Sequence, residues 1–398
     1  MMKIMKSLLP VLFIGLMVFF YGFTLVQNHD SENRRAVQLL YTEQPLTVRE
    51  GLVLLEREKE RESEQPLTVA LWGEMPQQTI RFAEFAREMK VDVVVICGDS
   101  SLLFPTRYSL QMGEENKILL SSDVAFRLFG SSRIVDGANF YRVHLGGREY
   151  TIRGVLAELE NTVVIQGYRG MDRILNGAAV EVRKGQSPRS TIREFELRFW
   201  PAERVFDGMM ISMWGRLFTW LLPVIVGITL LIGAIKHGKS LLEKPVKCAA
   251  WIGGVVLFFM LFIWLHRDLP VINLNISLTM WSDFNYWRDF FGDKVGAFCR
   301  IFQEEWRAPE RLIIMNTWRL MQYGFLSTGI FVLFVRKIKI ESWWWLLLYC
   351  GCSIIVVFWV VINNQIGDIT GVNSLWWLAS LFLIGKNANC FLLRKHIS

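Results

Sequence analysis

Gly233–Ser240 reads GAIKHGKS and fits the spacing of a phosphate-binding loop, with four residues between the glycines and then Lys239 and Ser240. Such a loop works where backbone N–H groups at a strand-to-helix turn cradle phosphates and the lysine reaches the outer ones. Here the pattern follows an apolar run long enough to cross a bilayer, and no apolar strand ending in Asp follows to hold magnesium. The stretch therefore reads as a glycine-tolerant helix end carrying lysines. Asp99, Ser100 and Ser101 follow an apolar strand-like run, a place where enzymes often put chemistry, but a capped turn is the simpler reading. No G-x-S-x-G elbow occurs. The histidines, His29, His144, His237, His266 and His396, share no metal-ligand spacing. No catalytic residue, cofactor or metal site is expected.

The apolar runs are equally bare of chemistry. A charge at the centre of a membrane helix costs about 2.5–3.5 kcal/mol on insertion scales, so charges found there mark ion or proton paths. Five of the six runs have no Asp, Glu, Lys or Arg in the middle, and Arg216 and Arg319 lie near ends. Lys386 in the sixth is placed to snorkel inward. Asn363, Asn364, Gln365 and Asp368 cluster just past the fifth. A proton- or sodium-coupled carrier is disfavoured.

What these runs build is a membrane module. A crossing needs about 20 apolar residues, and the candidates are Leu8–Val26, Met213–Ile235, Cys248–Leu265, Trp318–Val335, Trp343–Ile362 and Ser374–Leu393. The first follows Lys3 and Lys6 but is long for a signal core and lacks a small-residue cleavage site, so it reads as an anchor. Basic clusters fall at Lys236, Lys239, Lys244 and Lys247, at Arg336, Lys337 and Lys339, and at Arg394 and Lys395. Six crossings from an inside N-terminus place every cluster in the cytoplasm. The net charge of +7 is thus accounted for by topology rather than by nucleic acid. The fold expected is one N-terminal transmembrane helix (1–26), an extracytoplasmic α+β domain (27–212), and a bundle of about five transmembrane helices (213–398). Residues 266–317 form a second external segment, with an amphipathic stripe over 283–306. The six cysteines have no zinc or dense disulfide spacing; Cys97 and Cys299 are the external pair, with a bridge the less favoured option.

Within the external domain, 46–64 reads as an amphipathic helix that ends in charge. Leu67–Trp72 and Val91–Cys97 read as buried strands around a helical segment Gln77–Lys90, a βαβ-like unit. A strand at Ile118 leads into a helix capped by Ser121, Ser122 or Asp123 and stopped at Gly130. Phe140–His144 and Glu149–Val155 alternate around Gly146–Gly147 as a hairpin.

The helix ending Ala125…Leu128–Phe129–Gly130, the turn Val135–Asp136–Gly137 and the closing strand Tyr150–Leu156 resemble the periplasmic core domain of MacB/FtsX-type ABC transporter permeases. The order of one helix, this domain, then more helices is similar too. The resemblance implies a non-catalytic membrane subunit in the lipid bilayer, a homodimer or a pair with a related permease, bound to a separate cytoplasmic ABC-type ATPase. ATP-driven motion would pass to the external domain for export or envelope remodelling. Two departures stand out: five helices follow the domain instead of three, and only KHGKSLLEKPVK at 236–247 occupies the usual ATPase-coupling position. The basic positions Lys236, Lys239, Lys244, Lys247, Arg336, Lys337 and Lys339 are the candidate partner contacts. An extracytoplasmic sensor or scaffold without ATPase coupling is the alternative.

Overall fold

The computed structural model describes residues 2–32, 36–61 (except 42 and 44), 66–105 (except 83 and 85), 108–131, 141–156, 159–183, 186–239, 306–337 and 343–363, with 288 and short pieces of 252–264 and 375–383. The chain divides into two compact units. One comprises 1–32, 212–275 and 316–398; the other comprises 33–211 and 276–315.

The first unit is helical. It contains α1 (Met2–Glu32) and most of α5 (Gly208–Lys239), α6 (Ala308–Lys337) and α7 (Trp343–Asn363). Its core joins Ile14, Met17, Tyr21 and Leu25 of α1 to Leu222 and Val226, to Phe331 and Phe334, and to Val357 and Val360. Small residues let the helices close up, as membrane packing favours. A Cβ on Gly22 would lie 2.6 Å from Val360, and one on Gly324 would lie 2.9 Å from the Phe218 carbonyl oxygen. Among the described residues three helices are long and apolar enough to cross a membrane, over Leu9–Asn28, Gly208–Ile235 and Ala308–Arg336. Leu347–Ile362 is a shorter apolar helix. The runs at 248–265 and 374–393 are helical where described, so a five-helix bundle is not established.

The second unit is an α/β domain around a mixed sheet. Its strands are β1 (Ala36–Leu40), β3 (Val69–Phe82), β4 (Arg87–Cys97), β5 (Lys117–Ser121), β6 (Arg142–Leu145), β7 (Arg148–Leu156), β8 (Thr162–Gln166), β10 (Gly177–Glu181) and β11 (Arg204–Phe206). The order is β11-β1-β10-β3-β4-β8-β5-β7-β6, and β6 also pairs with β3 through Ile80↔Leu145 and Arg81↔His144. That last pairing closes β3, β4, β8, β5, β7 and β6 into a six-stranded ring, which removes two edges. The pairs β4–β8 and β5–β7 are parallel, and the others are antiparallel. A two-stranded ladder pairs β2 (Leu46–Thr47) with β9 (Ile174–Leu175).

The expected helix at Gln77–Lys90 is absent; β3 and β4 pair antiparallel instead, so the βαβ-like unit is corrected to a β-hairpin. Phe82, Phe85 and Met89 keep helical spacing, while Ile80 with Phe82 and Met89 with Val91 alternate as strands do. The alternation wins because Ile80 and Phe82 both point into the core while Arg81 faces solvent, and because β6 needs the far end of β3 to close the ring. A bulge between Met75 and Gln78, with Gln77 at φ 57°, adjusts the register. The Gln77 N–H donates to Asp92 Oδ1 at 3.0 Å.

Other expectations hold. The amphipathic helix is α2 (Val48–Lys59), and a Thr47–Glu50 capping box fixes its start. Helix α3 (Ser122–Phe129) is preceded by Ser121 at its N-cap and stops at Gly130 with φ 77°; α4 is Pro188–Arg198. Gly146 and Gly147, at φ 57° and 81°, make the two-residue turn between β6 and β7. Asp99 caps the short turn after β4, accepting from the Ser101 N–H at 2.8 Å. Cys97 is a free, buried thiol. The turn at 135–137 and the stripe at 283–306 lie outside the described residues apart from isolated positions.

Candidate functional site

Two helices that continue as apolar spans begin inside the α/β unit. Helix α5 starts straight after β11. The Asp207 carboxylate accepts from the Met210 N–H at 2.9 Å, and Phe206, Ile211 and Ile313 form a small apolar cluster. Gly208 permits that contact, since a Cβ there would lie 2.6 Å from the Ile313 side chain.

Helix α6 is held more tightly. Its third residue, Glu310, is fully buried and does two things. Its Oε2 accepts the Arg307 N–H at 3.1 Å, closing the helix start, and its Oε1 pairs with Arg204 Nη2 of β11 at 3.2 Å. Glu74 on β3 reaches across to accept the Ala308 N–H at 2.6 Å, so a carboxylate sits at the positive end of the helix. Arg307 in turn donates to the Asn176 carbonyl at 3.2 Å and lies over the Trp72 ring at 5.8 Å. Leu312 packs in the same core layer as Trp72, Ala70 and Phe104. Burial is the largest influence on Glu74 and raises its carboxyl above the ordinary range; the Ala308 hydrogen bond and the Arg307 and Arg311 charges oppose it in part. The result is a helix start bonded to β3, β11 and the loop before β10.

Among the sequence-predicted contacts, Lys236 and Lys239 fall in the last turns of α5, and Arg336 and Lys337 in the last turn of α6. Arg336 is exposed. Cations at helix C-termini also suit the helix dipole. Lys244, Lys247 and Lys339 lie outside the described residues. The residues that carried the family resemblance are structural: Ala125 and Leu128 are buried, Phe129 packs on Phe82 at 4.6 Å, and Gly154 lies under the Tyr108 ring. The root of α6 went unnoticed in the sequence. Its signal was Arg307–Glu310, RAPE, a proline and a glutamate in the first helical turn.

No protein-family profile matches the chain, and no curated protein sequence does. Solved structures similar to it include two extracytoplasmic transporter domains. The periplasmic region of MacB from Actinobacillus actinomycetemcomitans aligns at TM-score 0.32 and 8% identity, over 43% of this chain and 87% of that one. The extracellular domain of the noncanonic ABC-type transporter YknZ from Gram-positive bacteria aligns at TM-score 0.29 and 16% identity, over 43% and 98%.

Proposed function

We propose that the chain is a permease-like, non-catalytic membrane subunit of an ABC-type system. It transmits motion from a partner ATPase to an α/β domain outside the cell membrane, for export or envelope remodelling. In this reading both termini are cytoplasmic, residues 27–212 are extracytoplasmic, and the lysine and arginine clusters face the ATPase. The chain works as a homodimer or with a related permease.

One observation carries the reading: α6 starts within the α/β core at the buried Glu310 and runs unbroken to Lys337. The Arg204–Glu310 pair and the Glu74–Ala308 bond tie the start of α6 to β11 and β3, which suits a helix meant to carry motion. No catalytic role is assigned to any residue.

The test is a mild-detergent pull-down of the tagged chain with mass spectrometry. The control carries Lys236, Lys239, Lys244 and Lys247 changed to Gln. An ATPase that copurifies with the native chain and leaves the control supports the proposal and locates the contact. If other membrane partners are retained and no ATPase appears, the chain is a sensor or scaffold without energy coupling.

A further inference from the structure

A cleft of about 560 Å³ opens in the α/β unit, away from the root of α6 in sequence and in lining residues. One wall is α2, with Leu52, Glu56 and Lys59; the others are Met112, Gly113 and Glu115, Arg148 at the start of β7, and the turn Gly167–Gly170 after β8. A second hollow of about 280 Å³ shares Lys59 and Met112 with it. The larger volume lies in the range of small-ligand sites.

The polar groups of this cleft are unevenly paired. Arg169 is spent on Glu56, its Nη2 lying 2.7 and 2.9 Å from the two carboxylate oxygens. Arg148 Cζ lies 3.6 Å from the centre of the Tyr168 ring, and the side chain interacts with the Tyr150 phenol. Its Nη1 is buried and has no partner among the described residues. The Lys59 ammonium meets the Met112 thioether at 3.4 Å, a weak acceptor. Glu115 is the second carboxylate of the lining, against the three cations Lys59, Arg148 and Arg169. Gly113, Gly167 and Gly170 leave backbone without side chains on two walls, and Leu52 and Met112 supply the apolar surface. A guanidinium over an aromatic ring remains charged and can give a remaining donor, here Nη1, to an anion.

We infer that this cleft binds a small anionic ligand, with Arg148 taking its carboxylate or phosphate, Lys59 adding a second positive charge, and Tyr168 with Met112 covering its apolar part. The site would give the external domain a ligand of its own, independent of whether an ATPase drives the chain.

The experiment uses the full-length chain in detergent. A fluorescein-labelled tetra-alanine with a free C-terminal carboxylate is titrated, with its C-terminal amide and inorganic phosphate as competitors. The free acid is expected to bind saturably, and the amide at least about tenfold more weakly, the ratio expected for a lost charge-assisted hydrogen bond. Arg148→Gln is expected to lose about tenfold or more and Arg148→Lys to fall between. Arg142→Gln, whose partner Glu149 lies on the exposed hairpin, is expected to bind as the native chain does. Melting curves report folding; if Arg148→Gln does not fold, Lys59→Gln is read in its place with the same expectation. Competition by phosphate at lower concentration than the free peptide keeps the anion site and assigns it to phosphate. No saturable binding of any probe through the millimolar range overturns the inference. So does equal binding of acid and amide without phosphate competition, or binding indifferent to both Arg148→Gln and Lys59→Gln.

Discussion

Changing Glu310 to Ala removes two things at once, and the structure separates their sizes. The first is the reciprocal bond to the Arg307 N–H, a helix-start interaction whose loss costs about 1 kcal/mol. The second is an ion pair. Breaking a buried pair by removing one partner costs about 3–5 kcal/mol, because the remaining charge is stranded in low dielectric. Glu310 is fully buried, but the Arg204 side chain is 36% exposed and can turn to water. The pair therefore contributes well below the buried figure, and the sum for Glu310→Ala is about 2–4 kcal/mol. For a domain of this size each kcal/mol moves the melting midpoint by about 2–4 °C, so a fall of about 4–16 °C is expected. Glu310→Gln keeps an acceptor for the Arg307 N–H and should lose about half as much.

Differential scanning fluorimetry of the full chain in detergent measures the midpoint, and hydrogen–deuterium exchange locates the change. Backbone amides at 310–313 should exchange faster in Glu310→Ala, with those of β5 and β8 less affected. Because the carboxylate is buried, added salt should shift native and variant midpoints alike. A midpoint unchanged within about 1 °C would refute the assignment of Glu310 as the anchor of α6, as would faster exchange confined to α7.

Glu74→Gln tests the other carboxylate at the same helix start. Burial raises the Glu74 carboxyl above its ordinary value of 4.5, so its stabilising contribution is full below that pH and is lost as pH rises through the folded-state value. Glutamine has no proton to lose, so the melting midpoint of the variant should gain on the native chain between pH 4.5 and 8; a constant difference would count against burial as the cause. Gly177→Ala should destabilise the unit by at least about 1–3 kcal/mol, the usual cost of overpacking, because its Cβ would lie 2.3 Å from the fully buried Trp72 ring. Tryptophan fluorescence and the melting midpoint read that change, and a native-like midpoint would show that the β3–β10 contact is looser than described. Burial pushes the Cys97 thiol up to about 12. Iodoacetamide at pH 8 should therefore leave it unmodified until denaturant is added, as peptide mass spectrometry would show; prompt labelling of the folded chain would contradict the burial of β4.

Features readable in the sequence are those whose cause is local. Gly130 and Gly146–Gly147 are needed at positive φ, and the runs at Val91–Cys97 and Ile118–Leu120 are too apolar to lie outside a core. Where local patterns agreed with two structures, tertiary pairing decided. Gln77–Lys90 shows helical spacing, yet the pairing of Ile80 with Leu145, sixty-five residues on, makes it a strand and a turn. The site was less visible still. Glu310 meets Arg204 across 106 residues and Glu74 meets Ala308 across 234, separations at which composition and periodicity say nothing. Hydropathy started the fourth apolar run at Trp318 because the residues before it include Glu310, Arg311 and Asn316. It therefore missed that the helix itself begins at Ala308.

That difference between the apolar run and the helix bears on function. From Ala308 to Trp318 is about ten residues, or about 15 Å of helix at the standard rise. A chain leaving a membrane toward a folded domain commonly does so through a linker, which absorbs displacement by changing a few backbone angles. Here that length is helical, with Glu310 and Leu312 buried and the N-terminal amides bonded to strand side chains. A displacement along or around such a helix meets hydrogen bonds and packed side chains before it meets any free torsion. At its start, then, α6 is held to β3 and β11 by side-chain bonds rather than by free backbone. Both the driven permease and the ligand sensor need a helix start held in this way, so the root of α6 does not choose between them. The choice rests on the other end of the rod. If cations at 236–247 and 336–339 bind an ATPase, the motion runs outward; if they meet only lipid headgroups, the α/β unit is the input and its anion cleft supplies the stimulus.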